Sequence, residues 1–132
     1  MKEIVILGAG YAGLRALHRL QASKGDFHIT LIDRNNYHYE ATDLHEVAAG
    51  TQSKEKITYT ITDVVKPSVT TFIQAKVETI DRGAQTVTLD NGQVLNYDYV
   101  IVSLGFRSES FGIAGVEENA LDMVDVESAE KV

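Results

Sequence analysis

The chain opens with a short apolar run, Lys2 to Leu7, that passes directly into Gly8-Ala9-Gly10-Tyr11-Ala12-Gly13 and then into an amphipathic stretch. No other feature narrows the fold so far. A strand that ends in G-x-G-x-x-G at the start of a helix predicts a βα unit with three different uses for its glycines. Gly8 permits the tight turn, Gly10 has no Cβ to block a pyrophosphate, and Gly13 lets the helix lie close to the strand. The amides of the helix's first turn lack intrahelical acceptors and, with the helix dipole, would face the phosphate charge. Phe27 to Ile32 reads as a second buried strand ending at Asp33, twenty residues beyond Gly13. A carboxylate there can accept hydrogen bonds from both hydroxyls of a ribose. The glycine string alone is weak, but strand, spacing, helix and acid together favour a dinucleotide site over a glycine turn that binds nothing.

Further along, the helix after the glycines places Ala12, Ala16, Leu17 and Leu20 on one side, flanked by Leu14, with Arg15, His18 and Arg19 outward. Lys24 suits its C-terminus and Gly25 a C′ stop. After Asp33 comes a polar and aromatic loop, Arg34 to Glu40, and then a short helix, Leu44 to Ala49, with Thr42 or Asp43 as its cap and Gly50 as its stop. Residues 54–65 fit both a helical stripe (Ile57, Ile61, Val64, Val65) and a strand alternation (Ile57 to Thr62); we expect a helix. Val69 to Ile73, Ala75 to Ile80, Thr86 to Leu89 and Gln93 to Leu95 are β-prone runs, with Asp90-Asn91-Gly92 a strong hairpin signal. Tyr99 to Ser103 reads as a third parallel strand closed by Leu104-Gly105. The predicted fold is therefore α/β, Rossmann-like, with a parallel sheet interrupted by a three-stranded antiparallel β-meander at about residues 69–96. A meander before the closing strand points to a flavoprotein rather than a plain NAD domain.

The 132 residues suffice for one domain with its own core. No apolar run approaches the ~20 residues of a membrane span and the first residues read as a strand rather than as a signal peptide, so cytoplasmic folding is expected. Of the net charge of −7, residues 116–132 carry most, as Glu117, Glu118, Asp122, Asp125, Glu127 and Glu130 against Lys131. An acidic chain with no basic cluster is a poor nucleic-acid binder. The lack of cysteine excludes disulfides, thiolate-bound zinc, iron–sulfur ligation and a redox dithiol within these residues. Metal is not expected from histidine either. His45-Glu46 begins like a zincin motif, but position 49 is alanine, and neither His38 nor His45 has a third ligand at suitable spacing.

With these motifs in place, the chain resembles the FAD-binding half of two-dinucleotide-binding-domain flavoproteins (the pyridine nucleotide-disulfide oxidoreductase family), over nearly its whole length. The resemblance implies FAD as cofactor, held by Gly8, Gly10, Tyr11, Ala12, Gly13 and Asp33, and by Ser103-Leu104-Gly105, which stands where the family has an Ala-Thr-Gly-like motif. The Ser-Leu pair departs from that pattern, so a threonine-hydroxyl contact does not carry over, whereas the glycine does. Val77 is placed at the adenine edge, and Arg34 and Asn35 join the cofactor-binding set, Arg34 either pairing with an adenosine phosphate or standing solvated. Thr42 either bonds the isoalloxazine or caps its helix; Tyr37 and Tyr39 either shield the cofactor or fill the loop.

Within the family, the stretch Asn35 to Gly50 looks most like a type II NADH dehydrogenase, a single-flavin NADH:quinone oxidoreductase. That implies hydride transfer from NADH to FAD and then reduction of a quinone, with no catalytic side chain in this stretch. It also implies parts not found in these 132 residues: a second glycine motif for NADH, a later Gly-Asp motif, and C-terminal helices attaching the parent to the membrane surface. We therefore expect a fragment, silent alone, with residues 1–115 as the FAD domain and 116–132 as an acidic connection and the start of a helix. The helix start is read from Asp125 to Val132, with a cap and a Glu127–Lys131 pair. An apolar face left bare would pair two copies as a homodimer. Two alternatives stand beside this reading: another flavin reductase of ferredoxin or sulfide:quinone type, and a non-catalytic NAD(H)-sensing module.

Overall fold

Val5, Ile6 and Leu7 are apolar in succession rather than in alternation, which suits a strand buried on both faces. In the computed structural model, which describes all 132 residues, that strand is β1 (Lys2–Leu7) and it is central. It pairs in parallel with β2 (Phe27–Asp33), from Lys2 opposite Phe27 to Leu7 opposite Ile32. On its other side it pairs in parallel with a late strand, Tyr99–Val102, from Ile4 opposite Tyr99 to Leu7 opposite Val102. Between β1 and β2 lies α1 (Tyr11–Ala22).

The chain divides into two compact units: residues 1–38 with 60–105, and residues 39–59 with 106–132. It leaves the first unit within β3 (Tyr37–Tyr39) and returns within β4 (Thr58–Thr60). The first unit continues with β5 (Thr70–Gln74), the meander strands β6 (Val77–Asp81), β7 (Thr86–Leu89) and β8 (Val94–Asn96), and then the late strand, β9. β5 pairs in parallel with β2, so the four-stranded sheet runs β5-β2-β1-β9, and β6-β7-β8 form a separate three-stranded antiparallel sheet. One face of the parallel sheet (Val5, Leu7, Ile32) packs with Val87 and Leu89 of the meander. The other (Ile6, Ile29, Leu31) packs on Leu17 of α1 and on Ile61. Gln21 ties α1 to the segment leading into β5, its side-chain oxygen accepting from Lys66 N–H (2.7 Å) and Thr70 Oγ1–H (2.9 Å).

In the second unit, α2 (Leu44–Ala48) packs against α4 (Val126–Lys131), and Leu44, Ile57, Val126 and Ala129 are buried. A four-residue α3 (Val116–Asn119) precedes α4. The expected cap of α4 is present: Asp125 accepts from Ser128 N–H at 2.8 Å, Ser128 Oγ receives Asp125 N–H at 3.0 Å, and Lys131 pairs with Glu127 at 3.1 Å.

Several expectations need correction. Residues 54–65 form no α-helix but two 3-10 turns, Lys54–Lys56 and Ile61–Asp63, around β4. The threonines and isoleucines there are β-branched, and the strand alternation wins over the helical stripe. The run expected to open the meander is β5, an edge of the parallel sheet, so the meander starts at Val77 and β9 is the fourth parallel strand rather than the third. α1 ends before Gly25, closed by Ser23, whose N–H and Oγ both bond the Leu20 carbonyl. Ala12 is exposed, and it is Gly13 and Leu17 of α1 that are buried. Asp43, the N-cap of α2, makes no side-chain cap bond: the 3-10 turn Ala41–Asp43 feeds directly into the helix and satisfies Asp43 N–H on the Glu40 carbonyl.

Candidate functional site

The sheet order makes one place distinctive. β2 and β5 lie to one side of β1 and β9 to the other, so the order of the strands reverses between β1 and β9. A crevice opens at such a reversal, beyond the carboxyl ends of the strands. Here those ends are the glycine loop after Leu7 and Ser103-Leu104-Gly105 after Val102.

The loop is held peptide by peptide. Gly8 N–H donates to the Ile32 carbonyl (2.7 Å) and Ser103 N–H to the Leu7 carbonyl (2.8 Å). Ser103 Oγ–H lies 2.8 Å from the Leu7 carbonyl oxygen and 3.2 Å from that of Gly8. Ala9 N–H donates to Asp33 Oδ2 at 2.8 Å, and the Ala9 carbonyl accepts from Nδ1 of His38 at 2.8 Å. Leu14 N–H reaches the Gly10 carbonyl at 2.9 Å, closing the first turn of α1.

The three glycines differ as their assigned uses require. Gly8 sits at φ +97°, and a Cβ on it would overlap the Ser103 carbonyl oxygen. A Cβ on Gly13 would overlap the Gly8 carbonyl oxygen and lie 2.8 Å from Ser103 Oγ. A Cβ on Gly10 would meet nothing within 4 Å. Gly8 and Gly13 are therefore glycine for packing within the chain. Gly10 fronts open space at the N-terminus of a twelve-residue helix, the place where backbone amides accept an anion.

The expected site residues fall as follows. Gly8, Gly10, Tyr11, Gly13, Asp33, Ser103, Leu104 and Gly105 gather at the carboxyl ends of β1, β2 and β9, and Ala12 lies exposed in the first turn of α1. Asp33 is committed to more than a ligand: its two oxygens accept from Ala9 N–H and from Asn35 N–H, each at 2.8 Å. A carboxylate offers about four acceptor positions, so capacity for a ribose hydroxyl remains. Arg34 is exposed, and its carbonyl accepts from Gln74 at 3.3 Å. Val77 begins β6 just beyond β5, whose last residue lies opposite Asp33, and it packs against the core. Thr42 belongs to the second unit, exposed in the 3-10 turn.

Ser103, expected in the cofactor set without a threonine-like hydroxyl contact, grips the loop backbone with its own hydroxyl. His38, which the sequence raises only as a metal ligand, is 3% exposed, bonds the loop, and meets the Tyr11 ring edge-on at 5.3 Å. The signal available was a histidine set between two tyrosines directly after a candidate nucleotide acid.

A parallel sheet in this order with a glycine loop at its switch point defines a Rossmann-like nucleotide-binding protein, and the inserted meander marks the flavoprotein variant. The chain belongs to the pyridine nucleotide-disulphide oxidoreductase family, whose profile matches residues 2–132. It is 45% identical to a type II NADH:quinone oxidoreductase of Staphylococcus haemolyticus and 43% identical to one of Staphylococcus aureus, in each case over 99% of this chain and 33% of the relative. Among solved structures it is similar to the sulfide:quinone oxidoreductase of Aquifex aeolicus (TM-score 0.88, 30% identity, 99% of this chain and 30% of that one). It is also similar to NDH2 of Plasmodium falciparum in complex with NADH (TM-score 0.83, 25% identity, 98% and 27%). The chain thus spans about a third of the length of the curated relatives it matches.

Proposed function

We propose that these residues are the FAD-binding part of a type II NADH:quinone oxidoreductase, in which FAD takes hydride from NADH and passes electrons to a quinone. The observation that carries this reading is the glycine loop at the switch point, open above Gly10 and packed shut at Gly8 and Gly13. In it, the amides at the start of α1 receive the pyrophosphate, Asp33 takes a ribose hydroxyl, Val77 lies at the adenine edge, and Gly105 at φ +82° lets the chain turn beside the cofactor. Tyr11, Ala12, Arg34, Asn35, Ser103 and Leu104 complete the proposed contact set, and none acts as an acid or base. Titration of the chain with FAD, followed by quenching of flavin fluorescence, tests it: saturable uptake is expected, with no turnover of NADH and a soluble quinone. NADH binding without FAD uptake would reject it in favour of the sensing module.

The sulfide:quinone reading is supported by the higher TM-score of that neighbour, while the greater sequence identity supports the NADH enzyme. The parent protein assayed with NADH and with sulfide separates the two. In the parent, we place the enzyme at the membrane surface on the cytoplasmic side, through segments outside these residues; no helix here is long and apolar enough to cross a membrane. We also propose that the isolated chain self-associates through the β9 edge, where Tyr99, Val102 and Leu104 are more than half exposed. Sedimentation should show a dimer that V102K converts to monomer; a monomeric unsubstituted chain would refute the pairing.

A further inference from the structure

The Ala9 residue is gripped on both sides, and the two grips come from different strands. Asp33 at the end of β2 accepts its N–H, and His38 of β3 donates to its carbonyl, both at 2.8 Å. The carbonyl of Ala9 and the N–H of Gly10 belong to one peptide plane. That plane is trans, as is every peptide of the chain, so the two groups point in opposite directions. Fixing the carbonyl on the buried imidazole therefore aims the Gly10 N–H away from His38.

A carbonyl can only accept, so Nδ1 must carry a proton. In a neutral ring this selects the Nδ1–H tautomer, the one that free histidine side chains populate less in water, and hydrogen bonding sets that choice. The edge-on Tyr11 ring helps hold the imidazole in orientation. Burial to 3% exposure keeps water from competing for the carbonyl.

We propose that His38 is a positioning residue for the cofactor loop: as its Nδ1–H tautomer it locks the Ala9–Gly10 peptide so that the Gly10 amide is presented to a phosphate. This deepens the FAD reading and rests on it. His38 touches no reacting atom; it acts through the loop backbone. Its partner in the task is Asp33, which fixes the preceding peptide, so the two side chains together set the orientation of successive planes.

The test uses the whole 132-residue chain, with histidine labelled with nitrogen-15, and three proteins: unsubstituted, H38A and H38N. Asparagine keeps an N–H close to the position of Nδ1, whereas alanine keeps none. Long-range proton–nitrogen spectra of the unsubstituted chain should show His38 protonated at Nδ1 with and without FAD. FAD affinity should fall about tenfold or more in H38A, the scale of a misaligned hydrogen bond to a charged group, and most of it should return in H38N. Thermal melting of the flavin-free proteins separates packing from positioning, because a purely structural role would not be rescued by a side chain as small as asparagine. An Nε2–H tautomer, or H38A binding FAD as the unsubstituted chain does, would overturn the role of His38 and leave the flavin reading standing. Failure of the unsubstituted chain to take up FAD would overturn the flavin reading itself, and the phosphate-presenting role with it.

Discussion

Alanine at Gly13 and alanine at Gly10 should have opposite effects, although both replace a glycine of one motif. At Gly13 the new Cβ would overlap the Gly8 carbonyl oxygen and stand 2.9 Å from the Gly8 carbonyl carbon and 2.8 Å from Ser103 Oγ. Those atoms are tethered by the Gly8 to Ile32 and Ser103 to Leu7 hydrogen bonds, so the helix must move away. Overpacking of this kind costs about 1–3 kcal/mol, and rigid backbone neighbours put it at the upper end or beyond. The better helix propensity of alanine returns about 1 kcal/mol. The net loss is about 2 kcal/mol, or roughly 6–10 °C in Tm for a chain of this size. At Gly10, φ −77° and ψ −166° are open to alanine and nothing lies within 4 Å, so Tm should move by no more than about 2 °C. In the proposed site the same methyl would stand in the path of the pyrophosphate, and FAD affinity should drop by about tenfold or more. Thermal melting monitored by circular dichroism and flavin fluorescence titration read the two effects. If G10A melts as low as G13A, the open loop geometry is wrong; if G10A binds FAD with unchanged affinity, Gly10 does not meet the ligand.

Three further outcomes follow from other contacts. D33N should destabilise the flavin-free chain by about 1–3 kcal/mol in denaturant titration, because the amide cannot accept at both positions that Ala9 and Asn35 N–H now occupy. D125A should cost about 0.5–2 kcal/mol by removing the capping box of α4, read as loss of helical signal and earlier unfolding. Asp98 accepts from Glu3 N–H at 2.7 Å, and that bond, with Lys2 nearby, holds its carboxyl below the ordinary value of 3.8. Its stabilising effect is present above that value and is lost as the pH falls through the lowered one. D98N should therefore be less stable than the unsubstituted chain at pH 7 and indistinguishable from it in strong acid, as measured by urea midpoints across pH.

The first quarter of the fold was legible because its signals are local and mutually consistent. Gly8 at positive φ, Gly13 against the strand, and Asp33 at the end of β2 all follow from strand, turn and helix chemistry within 33 residues. The Asn91-Gly92 turn and the Asp125 cap were read for the same reason. β5 was misplaced because Thr70 to Gln74 shows β propensity but no record of its partner. Parallel pairing with β2 is a tertiary choice. Residues 54–65 carry two periodicities at once, and Ile57 and Ile61, both buried, belong to each of them. The contribution of His38 was hidden because its partner is a backbone carbonyl 29 positions away, which no side-chain pattern announces.

The central claim is that the loop from Gly8 to Gly13 binds FAD. Equilibrium titration of the purified chain with FAD and, separately, with NADH tests it most directly. Saturable quenching of flavin fluorescence is expected, weakened about tenfold or more by G10A, with no comparable binding of NADH. Selective binding of NADH with no uptake of FAD would contradict it.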